Sequence, residues 1–97
     1  MYIMKGVDLM SARRVNGKLN IVGKNISKYR VAKNWSQDDL TRELNLIGLP
    51  FHKNDIQTIE TYKRTVRACE LWFLAKVFNV TLEDFFTGIE DELKFNA

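Results

Sequence analysis

The sequence of residues 36–60 is SQDDLTRELNLIGLPFHKNDIQTIE, and it holds two helical patterns separated by residues that break helices. Leu40 and Leu44 are four residues apart, and Ile56 and Ile59 are three apart, so each pair falls on one face of a helix. The glycine and the proline between the pairs prevent one continuous helix. We therefore predict two short amphipathic helices that bury their apolar faces against a common core.

Capping signals define the ends of these two helices. Ser36 and Asp39 have the spacing of a capping box, which predicts helix 2 over residues 37–45. Helix 3 is predicted to begin at about residues 53–55 and to end near Tyr62. The apolar residues of the connection between the two helices are expected to fix it to the core.

The first turn of helix 3 has two candidate N-caps. If His52 is the cap, Asp55 lies at the third helical position and Lys53 and Asn54 point outward. If Asn54 is the cap, it pairs with Gln57 in a capping box and is unavailable for other contacts. We favour His52, and the alternative stays open at this point.

Three more helices are predicted around this pair. Helix 1 runs from Val22, after Asn20 as its cap, to Asn34, a residue type that tolerates the left-handed conformation. Helix 4 spans residues 67–79, and a short helix 5 within residues 81–86 has a threonine as its cap. The chain is therefore predicted to be all-α.

Helix 4 is apolar over most of its circumference. One stripe consists of Ala68, Leu71, Trp72, Ala75 and Phe78. A second stripe, on another side, consists of Cys69, Phe73 and Val77. Such a helix is expected to be covered on two sides. Three covers for the second stripe stay open: the N-terminal residues Tyr2, Ile3, Val7 and Leu9, the C-terminal residues Ile89, Leu93 and Phe95, or the same surface of a second subunit.

The length and composition fit one small domain. The chain has 97 residues, of which 45% are apolar. We assign residues 1–20 to an N-terminal arm, residues 21–88 to the folded domain and residues 89–97 to an acidic tail. No apolar run approaches the roughly 18 to 20 residues of a membrane span, and no secretory signal is recognised. A cytoplasmic protein without a membrane partner is expected.

Charge is distributed unevenly along the chain. The formal net charge is +3, but residues 1–67 contain 13 Lys/Arg against 6 Asp/Glu, and residues 68–97 contain 2 against 6. This asymmetry is expected of a protein that binds a polyanion, although a solvated charge gradient is about as common. Arg13, Arg14 and Lys18 fit either an arm that follows a DNA groove or a leader without that role.

Catalytic and metal-binding signatures are absent from the sequence. His52 has no second His or Cys at ligand spacing, and the single cysteine, Cys69, excludes an intramolecular disulfide and a cysteine-based zinc site. There is no glycine-rich phosphate loop, and the adjacent acidic pairs belong to first turns of helices. We therefore expect no enzyme activity, no metal and no cofactor.

Four spaced segments carry a resemblance to a known family. They are Val22-Gly23-Lys24-x-Ile26-x-x-Tyr29-Arg30, Trp35-Ser36-Gln37-x-x-Leu40-Thr41-x-x-Leu44, Ile56-x-x-Ile59-Glu60 and Leu71-x-x-Leu74-Ala75-Lys76-x-Phe78-x-Val80-x-x-x-x-Phe85-Phe86. In this order they resemble the five-helix DNA-binding domain of the lambda-repressor and Cro-like (XRE-type) helix-turn-helix family, over about two-thirds of the chain. The resemblance implies a five-helix bundle in which helix 3 enters the major groove of double-stranded DNA.

The resemblance also implies roles for individual residues. The expected base contacts are Lys53, Asn54, Gln57 and Thr58. The expected phosphate contacts are Gln37, Lys63, Arg64 and Arg67. A structural ion pair is expected between Arg30 and Glu60. The second stripe of helix 4, with Cys69, Phe73 and Val77, is a candidate interface of a homodimer that reads a palindromic operator.

Two departures from the family pattern stand out. The connection between helices 2 and 3 is about five residues longer than the usual turn, with Asn45 where the family favours glycine. Tyr62 replaces the glycine that commonly follows helix 3, so we do not expect a left-handed residue there.

The expected function is a transcriptional regulator, most simply a repressor. The alternative is an antitoxin-like or other protein-interaction module that binds a toxin or polymerase.

Overall fold

The structure is a computed structural model that describes residues 14–92. It contains α1 (Gly23–Ala32), α2 (Gln37–Leu46), α3 (Lys53–Glu60), α4 (Ala68–Phe78), a 3-10 helix (Glu83–Phe86) and α5 (Ile89–Glu92). Residues 14–92 contain no strand, and an isolated bridge joins Val15 to Lys18. The all-α prediction is confirmed for this part of the chain.

The capping box predicted for α2 is present. The backbone N–H of Asp39 donates to Ser36 Oγ at 3.0 Å, and the backbone N–H of Ser36 donates to Asp39 Oδ2 at 2.8 Å. The hydrogen bond from the Ser36 backbone lowers the pKa of the Asp39 carboxyl, and the Ser36 side chain adds to this effect. These bonds satisfy helix-terminal groups that have no partner within the helix, and they fix the start of α2.

The ends of α1 also follow the sequence signals. Asn20 Oδ1 accepts hydrogen bonds from the backbone N–H groups of Val22 at 3.0 Å and Gly23 at 2.8 Å. Asn34 has a φ of 59°, the left-handed conformation expected for a residue that ends a helix. The left-handed Asn34 is therefore confirmed, whereas the N-cap position is Val22 and Asn20 bonds the first N–H groups of α1 from two residues earlier.

The core lies between α1, α2, α3 and α4 and is closed by the 3-10 helix. The most deeply buried side chains are Phe85, Ile26, Leu40, Leu44, Ile56, Ile59 and Leu74. This set includes the four residues whose spacing predicted α2 and α3. A cluster of aromatic rings, with centroids 5.8–6.3 Å apart, completes the core beside α1 and consists of Tyr29, Trp35, Phe78 and Phe85. The common core predicted for the two amphipathic helices is therefore present.

The inner face of α4 differs from the predicted stripe. Leu74, Ala75 and Phe78 are buried, whereas Ala68 is exposed and Trp72 is 49% exposed. Two helical faces fit the apolar pattern equally well, because almost every residue of α4 is apolar. The structure selects the face that also buries Glu70, a residue with an ion-pair partner inside the domain.

The C-terminal segment corrects two predictions. The predicted helix 5 is a 3-10 helix, Glu83–Phe86, although the threonine cap is present, because Thr81 and Asp84 exchange hydrogen bonds at 2.9 and 3.2 Å. Ile89, which the sequence analysis placed in the tail, begins α5 and is buried in the core. Leu93 and Phe95 lie outside the described residues.

The connection between α2 and α3 is partly buried. Leu49 and Phe51 belong to the core, and Asn45 Nδ2 donates to the Phe51 carbonyl at 3.2 Å. In contrast, Leu46 is 73% exposed and Ile47 is 44% exposed. The prediction that apolar residues fix this connection to the core is confirmed for two of them.

Candidate nucleic-acid interface

The outer face of α3 is polar and accessible. Lys53, Asn54 and Gln57 are exposed and Thr58 is half-buried, while Ile56 and Ile59 point into the core. Because Asn54, Gln57 and Thr58 are spaced by three and four residues, they form one stripe along the helix. The structure therefore brings together the four residues expected to contact bases.

The N-cap of α3 is His52. Its backbone N–H donates to Asp55 Oδ2 at 2.8 Å, and Asp55 occupies the third helical position. Asn54 lies inside the first turn, so its amide does not cap the helix. Of the two alternatives from the sequence, the first is therefore confirmed, and the Asn54 side chain is exposed to solvent.

The side chains of Thr58 and Lys53 already make contacts within the domain. Thr58 Oγ1 donates to the Asn54 carbonyl at 2.8 Å, so the methyl group is the part of this side chain left for an apolar contact. Lys53 Nζ is 3.6 Å from Asp38 Oδ2, and both side chains are mostly exposed. A surface pair of this kind contributes little to stability. An anion with a stronger attraction to the Lys53 ammonium can therefore replace Asp38 as its partner.

The C-terminal end of α3 is held by a network around Glu60. The Arg30 guanidinium donates two hydrogen bonds to the Glu60 carboxylate, at 2.7 Å and 3.0 Å, and a third to the Trp35 carbonyl at 2.8 Å. Gln37 Nε2 donates to the same carboxylate at 3.0 Å. The structure thus joins α1, α2 and α3 at Glu60. The family resemblance implies that Gln37 contacts a phosphate. In the structure its side-chain amide donates to the Glu60 carboxylate instead.

The loop after α3 begins with a left-handed residue, which corrects one prediction. Tyr62 has a φ of 65°, although a non-glycine residue in this conformation is strained. The Lys18 ammonium lies 4.2 Å from the centre of the Tyr62 ring, and the Leu19 backbone N–H donates to the Tyr62 carbonyl at 3.1 Å. Contacts with residues before α1 therefore accompany the strained conformation, and no local sequence pattern predicts them.

Asn20 connects this loop to the start of α1. While its Oδ1 caps α1, its Nδ2 donates to the carbonyls of Ile59 at 3.0 Å and Arg64 at 2.9 Å. The sequence analysis identified Asn20 as a cap only. Its second role depends on residues 39 and 44 positions away, which no local pattern could reveal.

Arg64 faces two carboxylates. Its guanidinium donates to both oxygens of Glu70, each at 3.1 Å, and Nε is 3.9 Å from Asp55 Oδ1. The guanidinium carbon lies 5.2 Å from the centre of the Phe51 ring. Of the residues expected to contact phosphates, Lys63 and Arg67 are exposed and make no ion pair with another residue of 14–92, whereas Arg64 does.

The second stripe of α4 is only partly covered. Cys69 is exposed, and Phe73 and Val77 are half-buried. The connection between α2 and α3 approaches Phe73 at Gly48, where a Cβ would lie 3.7 Å from Phe73 Cε1, and this partial cover was not among the three predicted ones. The Trp72 ring meets Phe73 edge to face at 5.1 Å. Of the three covers proposed, the N-terminal residues lie outside the described part of the chain.

Metal-binding clusters and membrane-spanning helices are absent from residues 14–92. No group of three or more His, Cys, Asp or Glu side chains there is placed to hold a metal ion. No helix in this part of the chain is long and apolar enough to cross a membrane. No protein-family model matches the chain, and no curated protein matches its sequence.

Proposed function

We propose that this protein is a sequence-specific DNA-binding regulator, and most simply a repressor, with its helices arranged as in the lambda-repressor family. In this proposal α3 enters the major groove and α2 crosses the DNA backbone. The observation that carries it is the polar stripe on α3, which is exposed along the helix while both ends of the helix are fixed to the domain by charged side chains.

The chemistry of the stripe suits the edges of base pairs. Asn54 and Gln57 are amides that can donate and accept at adenine, and Lys53 can donate to guanine. The hydroxyl of Thr58 is bonded to the helix backbone, which leaves its methyl group for the methyl group of thymine. These are direct contacts that distinguish one base pair from another.

Basic residues beside α3 support contacts with phosphates. Lys63 and Arg67 are exposed in the segment that follows α3, and Lys53 lies at its start. Such contacts fix the orientation of a protein on DNA without reading sequence. The proposal therefore assigns specificity to the stripe and much of the affinity to Lys63 and Arg67.

Dimerisation is part of the proposal. The second stripe of α4 adjoins the connection through Phe73, and a symmetric contact there would place two copies of α3 on two half-sites. Sedimentation velocity of wild type and Phe73→Gln tests this: as the protein is diluted, the variant dimer should dissociate at a higher concentration than the wild-type dimer. A monomeric wild type would exclude a dimer formed without DNA.

The test of DNA recognition is selection from a random duplex library, followed by binding measurements over a salt series. A palindromic motif should be recovered, and Gln57→Ala should relax the preference at one base pair by about 1 to 3 kcal/mol. Lys63→Gln is the matched control, because it should weaken binding to all sequences alike. Recovery of no motif, with uniform affinity on the order of 10⁻⁵ M, would refute the proposal.

A protein-interaction module is the second candidate function. Leu46 (73% exposed), Ile47 (44%) and Trp72 (49%) are large apolar side chains at the surface, and Trp72 adjoins the connection through Phe73. Apolar surface of this kind marks sites of protein association when it is continuous. An antitoxin-like role predicts tight binding to a defined partner protein that Trp72→Gln abolishes while the library selection yields no motif.

A further inference from the structure

We infer that Arg64 and Glu70 form a clamp that sets the position of α3 on DNA, so that Arg64 determines specificity without contacting DNA. The inference rests on the proposed DNA-binding function. It assigns Arg64 a positioning role, in place of the phosphate contact that the family resemblance implies.

Arg64 forms a two-pronged ion pair with the buried carboxylate of Glu70. The Arg64 guanidinium donates to both carboxylate oxygens of Glu70 at 3.1 Å, and Glu70 Oε1 also accepts the Arg67 backbone N–H at 2.9 Å. Glu70 is only 6% exposed. If Arg64 turned toward a phosphate, it would leave a buried carboxylate without its countercharge, which is strongly unfavourable.

The clamp joins three segments of the domain. Glu70 lies in the first turn of α4, Asp55 in the first turn of α3, and Phe51 in the connection between α2 and α3. Arg64 contacts all three, with its charge shared between the carboxylates and its guanidinium carbon 5.2 Å from the centre of the Phe51 ring. A planar guanidinium with several donors can fix such an arrangement in one geometry.

The length of the connection makes such a clamp necessary. Six residues, 47–52, separate α2 from α3, and a chain of this length does not by itself fix the angle between two helices. Asn45 holds the Phe51 carbonyl, and Arg64 holds the Phe51 ring. The start of α3 is therefore positioned by side chains rather than by a tight turn.

Two carboxylates offset the charge of Arg64. The nearest nitrogen–oxygen distances are 3.1 Å to Glu70 and 3.9 Å to Asp55. A guanidinium whose charge is offset in this way attracts a phosphate less than an unpaired ammonium does, and Lys63, one residue earlier, is exposed and has no carboxylate partner among residues 14–92. Lys63 is accordingly assigned a phosphate contact in this loop, together with Arg67, and Arg64 is not.

The experiment compares Arg64→Gln and Glu70→Gln with the matched control Lys63→Gln. Each variant is titrated with the selected duplex and with a scrambled duplex over a salt series, at a temperature where circular dichroism shows that it is folded. Arg64→Gln and Glu70→Gln should each lower the ratio of specific to nonspecific affinity about tenfold, near the low end of what one base contact contributes to discrimination. Lys63→Gln should leave this ratio unchanged.

The salt dependence separates the two roles of a basic residue. Lys63→Gln should reduce the slope of log affinity against log salt by about 0.9, because one phosphate contact is lost. Arg64→Gln should leave the slope unchanged. Arg64→Lys keeps the charge but loses the two-pronged hydrogen bond, so it should lower the specificity ratio at an unchanged slope. If Arg64→Gln does not fold, Arg64→Lys still tests the clamp.

Two outcomes would overturn the inference. One is an Arg64→Gln variant that reduces the slope as Lys63→Gln does while its specificity ratio equals that of wild type. The other is a Glu70→Gln variant with the wild-type ratio and tighter binding to both duplexes, because that result would mean that Glu70 merely competes with phosphates for Arg64.

A measurement without DNA separates failure of the clamp from failure of the proposed function. Amide hydrogen exchange should show reduced protection of α3 relative to α1 in Arg64→Gln and Glu70→Gln, but not in Lys63→Gln. If this pattern appears and wild type selects no DNA motif, the clamp stands and the DNA-binding proposal fails. If wild type is specific and protection of α3 is the same in all variants, the clamp is refuted.

Discussion

Gly23 is the position where a single methyl group should have the largest effect for its size. A Cβ at this residue would lie 2.3 Å from the Ile59 carbonyl oxygen and 3.2 Å from Glu60 Cα. Both neighbours are backbone atoms, so neither can rotate out of the way. Gly23→Ala would therefore force the start of α1 away from the end of α3, by about 1 Å if an ordinary contact of at least 3.4 Å is to be restored.

The size of the effect follows from what this movement disturbs. Overpacking costs about 1 to 3 kcal/mol, and Asn20, which bonds both Gly23 and the Ile59 carbonyl, would lose a hydrogen bond with a net value of about 0.5 to 1.5 kcal/mol. Alanine gains up to about 1 kcal/mol in helix propensity over glycine. We expect a net loss of roughly 0.5 to 3.5 kcal/mol, centred near 2 kcal/mol, out of the 5 to 15 kcal/mol typical of a folded domain.

Urea denaturation measures this loss. With an m-value of about 1 to 3 kcal/mol/M, the midpoint for Gly23→Ala should fall by roughly 1 M or more while m is unchanged. Lys28→Gly and Lys28→Ala form the control pair, because Lys28 is exposed in the same helix and the pair reports the propensity difference alone. If Gly23→Ala matched wild type or exceeded it in stability, the close approach of α1 to α3 would be wrong.

Other contacts lead to three more measurable outcomes. Glu60→Leu should cost about 3 kcal/mol in urea denaturation because it leaves the Arg30 side chain, which is only 15% exposed, without its carboxylate, whereas Arg30→Met/Glu60→Leu should cost far less; equal losses would mean that the unpaired charge is not the cause. The Ser36 N–H lowers the pKa of Asp39, so the charged carboxylate stabilises the folded state above its ordinary pKa, and this stabilisation is lost as the pH falls through the lowered value. The difference in Tm between wild type and Asp39→Asn should therefore shrink from pH 6 to about pH 3, and a difference independent of pH would contradict the assignment. Asn79 ends α4 with a φ of 58°, so Asn79→Gly should be at least as stable as wild type and Asn79→Ala about 1 kcal/mol less stable in thermal unfolding; the reverse order would refute a left-handed cap.

Local sequence signals were sufficient for most of the helix boundaries. Apolar spacing identified α2 and α3, and short-range capping signals placed the start of α2 at Ser36 and favoured His52 over Asn54 for α3. These signals work because the interacting groups are three or four residues apart, so chain connectivity alone brings them together. The start of the 3-10 helix was found in the same way from Thr81.

Features that depend on distant residues could not be predicted. The apolar pattern of α4 allowed two inner faces, and the choice between them is coupled to the burial of Glu70 beside Arg64. The left-handed Tyr62 accompanies contacts with Lys18 and Leu19, more than 40 residues earlier in the chain. A weak signal for Glu70 existed, because a glutamate three residues after Arg67 has the spacing of a capping residue.

Residues outside the outer face of α3 determine where that face lies. The helix has eight residues, too few to be stable alone in water, so its orientation depends on what holds its ends. One end is held at Glu60 by side chains from α1 and α2, and the other at Asp55 and Phe51 by the Arg64 guanidinium. A base contact depends on the placement of its donor within a fraction of a hydrogen-bond length. The specificity of the proposed DNA reader should therefore be as sensitive to changes at these two ends as to changes in the stripe itself.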